Sequence, residues 1–211
     1  MICHPRQALF VHIPKTGGQS VETVFLQDQG LTWQQRAALL LRPNDQPARG
    51  PEKLAHLYAS EYVALGHISA GQFARYRKFA IVRHPYDRFL SEYRYRAAAL
   101  QRRGKARVMP GLQAFLDREP GDEHSDMARH LVPQVRYVQN AQGQCLVDDV
   151  LKFETLAQDI VPVFADIFGE ARPLPHRNRS PDGAPVVLTA AQKEQLYRRY
   201  RADFEAFGYA P

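Results

Sequence analysis

The chain is predicted to be an α/β protein in three layers, a central parallel sheet flanked by helices. Two stretches carry that reading. The first is Phe10-Val11-His12-Ile13-Pro14-Lys15-Thr16-Gly17-Gly18-Gln19-Ser20, after which Val21, Val24 and Phe25 fall on one face of a helix. The second is Lys78-Phe79-Ala80-Ile81-Val82-Arg83, an apolar core with a charge at its C-terminal end. His84-Pro85 breaks it, and Pro85 suits the start of a helix running from Tyr86 to about Arg102. Strands alternating with helices in this way give a parallel sheet covered on both faces.

Taken in order, Ala8 to Ile13 reads as a buried strand and Val21 to about Gln29 as the body of the first helix. Leu31 to Leu41 reads as a second helix, through Leu31, Ala38, Leu39 and Leu41. Arg42 to Pro51 holds three prolines and an Asn-Asp pair, so it reads as a loop. Glu61 to Leu65 is a second short strand, and Ser69 caps a short helix through Phe73. Leu112 to Arg118 is helical, and Met127 to Val138 mixes helix and loop around Pro133. Asp149 to Phe153 forms a strand and Thr155 to Phe168 a helix. Pro173 to Pro185 is polar and rich in proline. Thr189 caps a last helix through about Phe204, with Gln192 completing a capping box.

The 211 residues, 45% of them hydrophobic, are expected to form a single domain, 1–211. No apolar run reaches the length of a membrane span. Cys3 and Cys145 do not make a disulfide framework, and Met1 to Arg6 show no signal-peptide h-region followed by a cleavage site. A reduced, cytoplasmic protein is expected. The net charge is +6, and residues 77–107 hold ten Lys and Arg against Asp87 and Glu92. Such a segment attracts anions: nucleic acid, phosphorylated cofactors or acidic polysaccharide. Part of it is also an ordinary solvated helix face.

The loop between the first strand and helix has the makings of a phosphate cradle. Gly17 and Gly18 let the backbone turn tightly with its N–H groups inward. The helix start adds unpaired N–H groups and a positive dipole end. Lys15 adds a full charge, and Thr16, Gln19 and Ser20 stand beside it. The arrangement is P-loop-like, but in the Walker pattern the lysine follows the glycines. Here Lys15 precedes them, which argues against an ordinary ATPase or GTPase. The run His12-Ile13-Pro14-Lys15-Thr16-Gly17-Gly18 resembles the phosphosulfate-binding loop of sulfotransferases that use 3′-phosphoadenosine-5′-phosphosulfate (PAPS), in the form of the carbohydrate branch.

A second run supports the resemblance. Arg83, Pro85, Arg88 and Ser91 match the Arg-x-Pro-x-x-Arg-x-x-Ser segment of that family. There the matched Arg and Ser bind the 3′-phosphate of the cofactor. Physically, Arg83 leaves the carboxyl edge of a strand, where open α/β sheets bind ligands. Its planar fork suits a phosphate. Looser likeness extends to Leu151–Leu156, to Pro175–Ser180 and to the ending Phe207-Gly208-Tyr209. The resemblance is to the heparan/uronyl 2-O-like enzymes. It implies binding of PAPS by Lys15, Thr16, Gly17, Gly18, Gln19, Ser20, Arg83 and Ser91, and transfer of its sulfuryl group to a carbohydrate hydroxyl.

That transfer needs a base, and His67 is the first choice. Imidazole titrates near neutral pH, and Gly66 before it allows close approach. In the related enzymes a Gly-His pair lies upstream of the Arg-x-Pro motif, with its His as base. Some carry another His two residues earlier, where this chain has Leu65. His67 is therefore expected to face the phosphosulfate end of the cleft near Lys15. His12 is expected to be structural, and His84 and His176 to give support only. No His/Cys/Asp spacing suggests a metal. The acceptor is a sugar or polysaccharide, and the basic segment favours an anionic one. The rival readings are a small kinase using the same cradle and, below it, a nucleic-acid-binding module.

Overall fold

The computed structural model describes residues 1–102, 109–175 and 186–211. The elements are β1 (Ile2–Cys3), β2 (Ala8–Val11), α1 (Gly18–Asp28), α2 (Glu61–Ala64), α3 (Ala70–Arg75), β3 (Arg77–Val82) and α4 (Pro85–Arg102), then α5 (Leu112–Leu116), α6 (Asp126–Leu131), α7 (Val135–Val138), β4 (Asp149–Lys152), α8 (Leu156–Phe168) and α9 (Ala190–Phe207). The sheet order is β1-β2-β3-β4. β2, β3 and β4 are parallel, in register Phe10↔Phe79 and Ile81↔Leu151, and β1 pairs antiparallel with β2.

Period-two alternation sorts the core into layers. Phe10, Phe79 and Ile81 pack with Val21, Phe25, Ile160 and Phe164 of α1 and α8. Leu9, Val11, Ala80 and Val82 pack on the opposite face with Tyr62, Tyr137 and Val138. A third cluster, including Phe89, Phe115, Leu196, Tyr200 and Phe204, joins α4, α5 and α9. The α/β reading thus holds, with parallel strands covered on both sides. None of the described helices is long and apolar enough to cross a membrane.

Several local expectations are corrected. Glu61 to Leu65 is not a strand; Glu61–Ala64 is one helical turn, and the Glu61 carboxylate accepts from the Tyr58 N–H. Leu31 to Leu41 gives only a 3₁₀ segment, Trp33–Leu39, capped by Thr32 and Gln35. The first helix, its body expected from Val21 to about Gln29, runs Gly18–Asp28, so Gln19 and Ser20 are helical. The Ser69–Gln72 and Thr189–Gln192 capping boxes both form.

Candidate active site

The C-terminal ends of β2 and β3 deliver the two predicted motifs side by side. Lys15 and Gly17 both have positive φ, 72° and 84°, and this turns the chain directly into α1. A non-glycine residue in that region stores about 1–3 kcal/mol of strain, which its surroundings must hold. Two contacts hold it. The Thr16 hydroxyl donates to the Ile13 carbonyl at 2.8 Å. The buried Arg88 donates to the carbonyls of Pro14, Val132 and His130 at 3.2, 3.0 and 2.9 Å. Arg88, part of the second motif, is therefore a brace beneath the loop, and the Thr16 hydroxyl is spent on the turn itself.

His12 lies under Gly18, its Nδ1–H donating to Glu22 at 2.6 Å. A Cβ on Gly18 would sit 2.4 Å from that ring. Gly18→Ala should therefore cost about 1–3 kcal/mol of stability through overpacking. Gly111, with open space around it, should accept alanine with little change. Denaturant melts of the two variants check the contrast; equal stabilities would show that the His12 ring moves aside freely.

Lys15 stands among three arginines and one carboxylate. Its electrostatic neighbours are Glu92, Arg83, Arg96 and Arg94, and burial together with the three arginines lowers its pKa to about 8. Its ammonium lies 4.1 Å from the centre of the Tyr95 ring. Arg83 Nη1 reaches the Lys15 carbonyl at 3.4 Å, and its guanidinium lies over Phe153, 4.4 Å from the ring centre. Among the described residues, Arg83 Nε, Arg94 Nε and Arg96 Nη2 are buried without a hydrogen-bond partner. Phe153 also borders the loop, 2.9 Å from where a Cβ on Gly17 would stand.

The backbone of Arg83 is fixed from the far side of the fold. Gln134 takes its N–H at 2.9 Å and gives to its carbonyl at 2.8 Å. The buried Asp203 on α9 holds the N–H groups of Gln134 and Val135, each at 2.9 Å. Glu154 takes the His84 N–H and the Tyr209 hydroxyl, and His84 Nε2 donates to the Ala210 carbonyl. The chain's ending thus closes beside Arg83. Ser91 is buried on α4, one residue before Glu92. Gln19 is exposed and Ser20 buried at the start of α1. His176 and residues 177–180 lie outside the described residues.

The basic segment divides into parts. Arg77 and Lys78 pair with Asp149 and Asp148 at the other end of β3. Arg88 serves the core. Arg83, Arg94 and Arg96 face Lys15.

His67 stands on the turn after α2. Its Nε2–H donates to the Arg49 carbonyl at 2.7 Å, which leaves Nδ1 as the ring's acceptor. Burial lowers its pKa below the ordinary value, and its neighbours are Arg49, Arg42 and Glu61. Among the described residues no hydrogen bond, ion pair or ring contact joins His67 to Lys15. The expected facing of the two is thus not seen as a contact.

A mostly parallel sheet with a glycine-turned loop and several cations at its carboxyl edge gives an α/β fold of the phosphate-loop kind. The family model described as "Sulfotransferase family" matches residues 1–210. The chain belongs to the sulfotransferase family, and it is a transferase of sulfuryl groups. No curated protein and no solved structure matched it.

Proposed function

We propose that the protein transfers the sulfuryl group of PAPS to a hydroxyl of a carbohydrate. One observation carries the donor side: Lys15 has three guanidinium groups as electrostatic neighbours, each with a buried N–H that lacks a partner among the described residues. Like charges assembled with idle donors favour binding of a polyanion that spans them, since each donor left unmade in a buried place costs free energy. A phosphosulfate on the loop and a 3′-phosphate at Arg83 and Ser91 supply that charge. Gly17, Gly18, Gln19 and Ser20 offer the helix start, and Phe153 offers an apolar wall beside Gly17. A phosphoryl-transferring enzyme would use the same cradle, but the lysine order and the family membership favour sulfuryl transfer.

In the reaction proposed, the acceptor oxygen attacks sulfur and the bond from sulfur to the bridging phosphate oxygen breaks. That oxygen keeps the electron pair beside the Lys15 ammonium. The acceptor proton passes to Nδ1 of His67, the nitrogen its bond to Arg49 leaves open. Arg42 and Arg49 around His67 give the acceptor side a positive field, which supports an anionic sugar.

The experiment is calorimetric. The desulfated product, 3′-phosphoadenosine-5′-phosphate, should bind more tightly than AMP, because only the former reaches the Arg83 guanidinium. Charge-assisted hydrogen bonds contribute about 1.5–3 kcal/mol each. Arg83→Ala should remove most of the preference. Equal affinity for the two nucleotides would sink the proposal for Arg83 and, with it, the donor.

A further inference from the structure

We propose that His56, Asp126 and His130 form a binding site for a divalent transition-metal ion, zinc first, beneath the phosphate loop. The site is separate from the sulfuryl-transfer reading and does not depend on it. One ligand atom from each residue lies within 4.8 Å of the others. Asp126 and His130 are one turn apart on α6, and His56 ends the 3₁₀ turn Leu54–His56. His56 and His130 are each 7% exposed, so the group is enclosed.

The decisive feature is the orientation of His130. Its Nδ1–H donates to the Glu92 carboxylate at 2.6 Å. That bond fixes the tautomer and turns the lone pair of Nε2 inward. Nε2 is buried, has no hydrogen-bond partner among the described residues, and stands 3.6 Å from Asp126 Oδ1. Two buried lone pairs facing one another repel unless a cation lies between them. The separation suits a tetrahedral zinc ion, whose ligand atoms at about 2.0–2.2 Å from the metal stand roughly 3.4 Å apart. A carboxylate behind a ligating imidazole is also the usual outer partner of such a ligand.

His56 completes the set. Its Nδ1 meets Asp126 Oδ1 at 2.7 Å. On loading, the ring takes its proton on Nε2 and Nδ1 turns to the metal, opening this contact by roughly 0.7 Å. Lys53 balances the other carboxylate oxygen of Asp126 at 2.5 Å. His12 abuts His56, ring centres 5.2 Å apart, and itself supports Gly18. A bound ion would therefore tie the Leu54–His56 turn, α6 and α4 together directly under the loop. Two imidazoles and one carboxylate are a borderline-soft set, suited to zinc rather than magnesium or calcium.

The test uses the full, tag-free chain stripped of metal and titrated with zinc chloride in a calorimeter. One ion per chain is expected, with a melting temperature that rises with zinc concentration. His56→Gln and His130→Gln should each weaken binding at least tenfold, Glu92→Gln by about 10–100-fold. Cys145→Ser, which removes an exposed thiol, should leave binding unchanged. Absence of binding, or binding undiminished in the double variant His56→Gln/His130→Gln, would overturn the proposal. Should the variants fail to fold, nitrogen NMR of labelled histidines in the parent decides. The His130 Nε2 resonance must move on adding zinc. An unmoved resonance means that a proton alone occupies the gap, and the site is lost.

Discussion

Replacing Lys15 with alanine should lower kcat about 10²–10³-fold, the loss typical of removing one preorganised donor to a developing negative charge. Affinity for the desulfated product should fall much less. The asymmetry follows from the surroundings. Arg83, Arg94 and Arg96 already supply positive charge for the bound anion, so binding has other contributors. The charge that appears on the bridging oxygen is met by Lys15 alone in the mechanism proposed. An interaction made only in the transition state appears in kcat. There is a pH signature as well. The Lys15 pKa is pushed down to about 8, and the catalytic form is the ammonium. The charge is complete below that value and is lost as pH rises through it. The kcat/KM of the parent should therefore fall above about pH 8. Lys15→Arg, which cannot lose its proton in this range, should lack that falling limb. A raised KM with unchanged kcat in Lys15→Ala would reduce the lysine to a binding role.

How much of this was legible in the sequence differs by element, for physical reasons. The β2–loop–α1 and β3–α4 units were readable because local signals agree: apolar runs, Gly17-Gly18, Pro85, then helical spacing. The Glu61–Ala64 turn was misread because four residues carry no usable period, and its geometry rests on Arg129, which grips Glu61 from α6 at 2.6 Å. β1 is two residues long and exists only by pairing with Leu9 and Ala8. In the site, Lys15 and Arg83 were readable from motif order. Arg94 and Arg96 looked like an ordinary charged helix face, though their spacing on a helix after Arg83 was a usable hint. The Gln134–Asp203 clamp on Arg83 was not readable, since its partners are dozens of residues apart. The same holds for His56 with Asp126 and His130. Only the i, i+4 pair Asp126/His130 is local, and such pairs are common on helices.

His67→Ala should keep the fold and the nucleotide affinity while losing roughly 10²–10⁴-fold in rate, the usual contribution of a positioned base. The fold should survive because among the described residues the ring makes one side-chain hydrogen bond, to the Arg49 carbonyl, while the turn is held by the His67 N–H on the Tyr62 carbonyl at 2.9 Å. Nucleotide affinity should survive because no contact links the ring to Lys15. The pH dependence has a definite sign. Only neutral imidazole accepts the proton, and burial holds the His67 pKa below its ordinary value. Activity should rise with pH through that ionisation and be complete by neutrality. Combined with the Lys15 limb above about pH 8, the parent kcat/KM profile should be a bell. His67→Ala should lose the rising limb and keep the falling one. A variant that turns over at the parent rate, or one that keeps the rising limb, would move the base elsewhere and leave His67 as a brace of the turn at Arg49.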